Sequence, residues 1–96
     1  MRIAENIPAY VKPGAVLKLA GDASFEAYTK PAEEEAILRG KDFTDYFLVL
    51  EVVTPLHTTY VRILDAQGTE WVLAILPDWP REELKLMLLV PESQTG

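Results

Sequence analysis

Residues 58–76 read TTYVRILDAQGTEWVLAIL. Two runs rich in β-branched and aromatic residues, Thr58–Asp65 and Thr69–Leu76, flank Ala66-Gln67-Gly68. Val61 and Ile63 alternate with Arg62, the period of a half-buried strand. Asp65 and Gly68 bracket the connection, and glycine takes the positive φ that tight hairpin loops require. The stretch predicts a β-hairpin, and with it a mainly β fold. No catalytic, metal or nucleotide motif lies on it.

Working outward, Trp71 to Leu76 is apolar on both strand faces, with Trp71, Leu73 and Ile75 on one and Val72, Ala74 and Leu76 on the other. Phe47–Val53 reads as a further strand, ended by Thr54-Pro55-Leu56-His57, where Pro55 cannot continue a ladder. Upstream, Lys12-Pro13-Gly14 is a turn signal before a short first strand, Ala15–Leu19. Downstream, Pro77–Glu83 reads as a turn and Leu84–Val90 as a fifth strand, stopped by Pro91. A helix over Arg81–Val90 is the alternative, because Leu84, Met87 and Leu88 share helical spacing, Pro80 suits a first turn and Asp78 could cap it.

Gly21–Tyr46 is too long for a structureless loop. Thr29 as cap, Pro31, and Glu33-Glu34-Glu35 predict a helix over Pro31–Arg39, closed by Gly40. Ala36 and Ile37 would dock it on the sheet, since so short a helix does not stand alone. That helix and the lead-in would cover the second apolar face of the strands. If they did not, the exposed apolar surface would mark self-association or a protein partner.

This element order resembles the SH3-like small β-barrel. The resemblance implies five strands over residues 14–91 as a single domain, with the helix inserted in the first long loop, a 1–13 lead-in segment and a flexible 92–96 tail. Lys12-Pro13-Gly14-Ala15-Val16 is also similar to the opening strand of barrel-type bacterial toxin nucleases. Where SH3 domains carry an Ala-Leu-Tyr-Asp-Tyr motif, this chain reads Leu19-Ala20-Gly21-Asp22. On the barrel plan the loops flanking a groove contribute Tyr28, Tyr46, Pro77 and Trp79, which are the expected partner-binding residues.

Composition narrows the classes of function. The 96 residues carry a net charge of −6, concentrated beyond residue 30, and an acidic surface repels phosphate backbones. Direct nucleic-acid binding is therefore not expected. There is no cysteine, so disulfides and thiolate chemistry are absent, in keeping with a cytoplasmic location. Met1–Asn6 lacks the apolar stretch of a secretory signal, and Trp71–Leu76 is far shorter than the roughly 20 residues of a membrane helix. His57 is the only histidine and has no Ser or Cys motif beside it, which is a poor start for acid–base or zinc chemistry. Consecutive Glu33, Glu34 and Glu35 would point in different directions on a helix and could not converge on a cation. No cofactor is expected.

Three functions follow in order of preference. The first is a non-catalytic protein-interaction or accessory subunit. The second is a small acidic inhibitor of phage type that blocks a basic nucleic-acid-binding surface. The third is a small barrel ribonuclease using His57 with Arg62 or Thr58.

Overall fold

The hairpin is present as expected in the computed structural model, which describes residues 7–30, 34–55 and 57–90. Its strands are β5 (Thr59–Leu64) and β6 (Glu70–Ile75) in the numbering of the whole chain, paired antiparallel from Thr59↔Ile75 to Leu64↔Glu70. Asp65 builds the turn. Its Oδ1 accepts the backbone N–H groups of Gln67 at 2.9 Å and Thr69 at 2.8 Å, while Oδ2 accepts Trp71 Nε1–H at 3.1 Å. Gly68 closes the turn at φ 86°, a conformation open to glycine without a Cβ clash.

Five further strands flank the hairpin: β1 (Val16–Leu19), β2 (Ser24–Lys30), β3 (Glu35–Arg39), β4 (Phe47–Val53) and β7 (Leu88–Leu89). One helix, α1 (Arg81–Met87), precedes β7. The strands form a single antiparallel sheet in the order β3-β2-β6-β5-β4-β1-β7, curled into a half-barrel. A bulge between Val49 and Glu51 bends β4 within it.

The curl follows from chain connectivity. β1 lies beside β4 and β2 beside β6, so in a flat sheet they would stand four strand spacings apart, about 19 Å. Only Ala20–Ala23 joins them, and Ala23 N–H donates to the Ala20 carbonyl at 3.0 Å, a turn that draws its ends within about 7 Å. Adding one Cα step at either end gives about 15 Å at most. A flat sheet cannot satisfy this link.

Alternation then fills the concave side. Leu17 and Leu19 from β1, Phe25 and Ala27 from β2, Phe47 and Val49 from β4, Val61 and Ile63 from β5, and Leu73 and Ile75 from β6 are all buried. Thr59 is the one buried polar side chain among the described residues, and its hydroxyl is paired with that of Thr54 at 2.9 Å. Val11, Leu84 and Leu88 complete the core. Tyr10 ties the lead-in to the far edge by donating its hydroxyl to the Leu88 carbonyl at 2.6 Å.

Two expectations are corrected. The five-strand plan becomes seven strands, because Gly21–Tyr46 supplies β2 and β3 in place of a helix inserted in a loop. Glu35–Arg39 is extended and pairs with β2 from Ser24↔Arg39 to Tyr28↔Glu35; the Pro31–Glu33 start of the expected helix lies outside the described residues, as does the 92–96 tail. Leu38 and the half-buried Ala36 alternate with exposed Glu35, Ile37 and Arg39, which is period two. Ile37 does not dock: it is 57% exposed. The open side of β2 needed a ladder partner, and that pairing outweighed the helix-start chemistry.

The second correction concerns Leu84–Val90. Residues 81–87 are helical, and only Leu88–Leu89 forms a strand, beside β1. A strand would have buried Leu84, Leu86 and Leu88 together, yet Leu86 is 72% exposed between buried Leu84 and Leu88. Pro80 stands at the cap position with no side-chain cap, so Asp78 does not serve there.

Gly40 lies where two backbone segments approach closely. Its N–H donates to the Ala23 carbonyl at 2.9 Å, and a Cβ there would overlap the Ala20 carbonyl. Gly21, one residue beyond Ala20, has open space at the same position. Gly40→Ala is expected to cost roughly 3 kcal/mol or more in urea unfolding, and Gly21→Ala under about 1 kcal/mol. Comparable losses for the two would refute the close approach.

Burial raises the pKa of the Tyr10 phenol. The folded state therefore holds its proton at pH values where the unfolded chain has released it, so stability falls as pH climbs above about 10. Wild type should lose stability in that range relative to Tyr10→Phe, as read by chemical denaturation at a series of pH values. Parallel curves would show that the phenol is not buried against Leu88.

Candidate functional site

Strand alternation leaves one surface of the curled sheet facing solvent, and register defines its rows. Val53, Tyr60 and Ala74 align across β4, β5 and β6, and Glu26 stands opposite Ile37 across β2 and β3. Glu51, Arg62, Val72, Tyr28 and Glu35 form the next row. Ile37 at 57%, Leu76 at 42% and Val53 at 40% are well exposed for apolar side chains. Of the segments expected to cover this face, residues 35–39 form part of the sheet itself and Val11 of the lead-in is in the core; residues 1–6 lie outside the described residues.

Two adjoining grooves open on the β2–β3 side. One, of about 320 Å³, is lined by Glu26, Ala27, Tyr28, Glu35, Ala36 and Ile37. The other, about 230 Å³, is lined by Ser24, Glu26, Ile37, Ala74, Leu76 and Trp79. They share Glu26 and Ile37. Their walls join apolar and aromatic surface to the Glu26 and Glu35 carboxylates, a chemistry suited to a polypeptide surface that carries both apolar and basic groups.

The four expected contact residues are only partly brought together. Tyr28 lies on the outer side of β2 and lines the first groove. Trp79 lines the second from the β6–α1 turn, half-buried, with its ring edge-on to Phe25 at 5.4 Å between centroids. Pro77, in the same turn, is exposed. Tyr46 lines neither groove; it is 49% exposed, with the Lys18 ammonium 5.7 Å from its ring centre. Ile37 was expected to dock a helix and was missed as an exposed residue, whereas Leu76 was anticipated only as part of the second apolar strand face. For Ile37 the signal was its alternation with Glu35 and Arg39.

Arg62 sits on the outer face between two carboxylates, Glu51 on β4 and Glu70 on β6, each at 3.2 Å. The hydrogen bonds it donates to the Glu51 carboxylate first, then to Glu70, hold its guanidinium in the charged form even more firmly than usual. His57 is exposed in the β4–β5 connection, and Thr58 beside it is half-buried. Among the described residues, no group of three or more His, Asp or Glu is placed to hold a metal ion, and no helix is long and apolar enough to cross a membrane.

No protein family, curated protein or solved structure compared with the chain matches it.

Trp79 combines a packed edge with a groove-lining face, so removing it should affect stability moderately. Trp79→Ala is expected to cost about 2 kcal/mol while keeping a cooperative urea transition. Collapse of the fold would place the ring wholly in the core, and no change would detach it from Phe25.

Proposed function

We propose that the chain is a non-catalytic protein-interaction or accessory module, working in the cytoplasm on an SH3-like barrel plan. Its contact surface is the outer face of β2, β3 and β6 with the β6–α1 turn. The observation that carries this reading is the pair of grooves where exposed Ile37 and Leu76 and half-buried Tyr28 and Trp79 line the outer side of the sheet, away from the core on the concave side. Exposed apolar surface of this kind marks interaction sites, and aromatic anchors dominate interface energies. Trp79, set between Pro77 and Pro80, is stiffened before any partner arrives, which lowers the entropy of binding.

A Tyr28→Ser, Leu76→Ser double variant tests the reading, because both side chains line the outer grooves and neither belongs to the core. Wild-type protein immobilised in a lysate of its source cell should retain a partner in about 1 M salt, where screening falls to about 3 Å. The variant, melting as wild type does, should lose that partner. A partner shed by salt alone would instead favour the acidic-inhibitor alternative. Retention by the variant would overturn the assignment of the surface.

A further inference from the structure

β3 is an edge strand, and its ladder geometry shows which backbone groups are open. Gly40 N–H donates to the Ala23 carbonyl and Thr29 N–H to the Glu34 carbonyl, at 2.9 and 3.0 Å. Antiparallel pairs alternate, so Glu34, Ala36, Leu38 and Gly40 turn their peptide groups toward β2. Glu35, Ile37 and Arg39 turn theirs away. The Arg39 carbonyl already accepts Asp42 N–H at 3.0 Å and Phe43 N–H at 2.8 Å. Among the described residues, the N–H and C=O of Glu35 and Ile37 and the N–H of Arg39 have no backbone partner.

The side chains along this open edge are self-complementary. Glu35 and Arg39 lie two residues on either side of Ile37, carry opposite charges, and form no ion pair among the described residues. All three side chains are exposed on the outer face. Natural edge strands are protected by like charges, prolines or bulges. This one places a cation and an anion symmetrically about an exposed isoleucine.

We propose that β3 pairs with β3 of a second copy of this chain, antiparallel about a two-fold axis through Ile37. In this register each Ile37 faces its symmetry mate, and each Glu35 faces the Arg39 of the other protomer. Directly opposite side chains have Cβ atoms about 5 Å apart, within reach of an ion pair. The two Ile37 residues exchange both N–H···O=C bonds, and each Arg39 N–H donates to the Glu35 carbonyl opposite. Four backbone hydrogen bonds, two ion pairs and the burial of both isoleucines hold the dimer. A parallel pairing of the same edges would break this match, so the charges select orientation as well as partner.

The proposal rests on the interaction-module reading and names one of its partners, a second copy, at a strand edge distinct from the Leu76 and Trp79 wall. Sedimentation equilibrium over a range of concentrations should show the wild type at twice its 10.8 kDa mass. Glu35→Arg sets arginine against Arg39 of the mate, and Arg39→Glu sets glutamate against Glu35. Each should weaken the dimer about tenfold or more. The double variant Glu35→Arg, Arg39→Glu restores both pairs and should dimerise like wild type. Ile37→Asp should be monomeric yet melt as the wild-type monomer does, since the side chain is outside the core. A wild type that stays monomeric, or single charge variants that dimerise unchanged, would overturn the proposal. Arg39 lines neither groove, so loss of the dimer in Arg39→Glu with lysate partner capture intact separates this edge from the groove surface. A dimer that survives Tyr28→Ser, Leu76→Ser separates the two in the other direction.

Discussion

The short link Ala20–Ala23 governs this structure. It ties β1 to β2 although three other strands lie between them in the sheet. The sheet must curl, and curling produces a concave side deep enough to be filled by the inward residues of β1, β2, β4, β5 and β6. Val11, Leu84 and Leu88 then finish a core that no flat sheet of this size could enclose. The close passage of Gly40 over Ala20 is the local consequence. The chain leaving β3 crosses the corner where β1 becomes β2, and a side chain there would meet a carbonyl.

The same geometry divides the surface into unequal parts. Most of the ladder groups are paired within the sheet, and the hairpin turn is saturated by a single carboxylate, Asp65, which serves two backbone donors and an indole. Arg62 bridges β4 and β6 through Glu51 and Glu70, so this part of the outer face is electrostatically self-contained. Such exposed pairs add little stability. They do leave the β2–β3 side as the place where apolar groups, unpaired charges and open peptide groups coincide.

That coincidence is what supports the proposed interaction role. A catalytic site needs polar groups converging in a partly dry recess. Here the core on the concave side is filled by aliphatic and aromatic side chains; Thr59, the one buried polar side chain among the described residues, is satisfied by Thr54. The two recesses lined by Glu26 and Ile37 are open grooves beside the edge strand β3. In the proposed reading, groove and edge would serve two recognition modes, side-chain anchoring and strand addition, on adjoining parts of the sheet.

Several elements were legible in the sequence because local chemistry decided them. The β5–β6 hairpin follows from its turn residues and alternation, and Phe47–Val53 from its β-formers between loop signals. The apolar excess on the second face of residues 71–76 was also visible, and with it the suggestion of an exposed contact surface. Residues 24–39 were not read correctly. Phe25 and Ala27 did alternate, but Thr29, Pro31 and the glutamates that follow are equally good helix-start chemistry, and local signals could not choose. The choice fell to the open edge of β2, whose peptide groups needed a partner that exists only once the sheet has formed. Residues 81–87 show the same dependence, since Leu84, Leu86 and Leu88 alternate as in a strand while Leu84, Met87 and Leu88 share helical spacing. Only the position of the core, on one side of that segment, buries Leu84 and Leu88 and leaves Leu86 in water. Sequence alone thus determined the turns and the strands they join; the pairing of strands distant in the chain decided the rest, because a peptide group is satisfied by whichever partner the folded sheet brings to it.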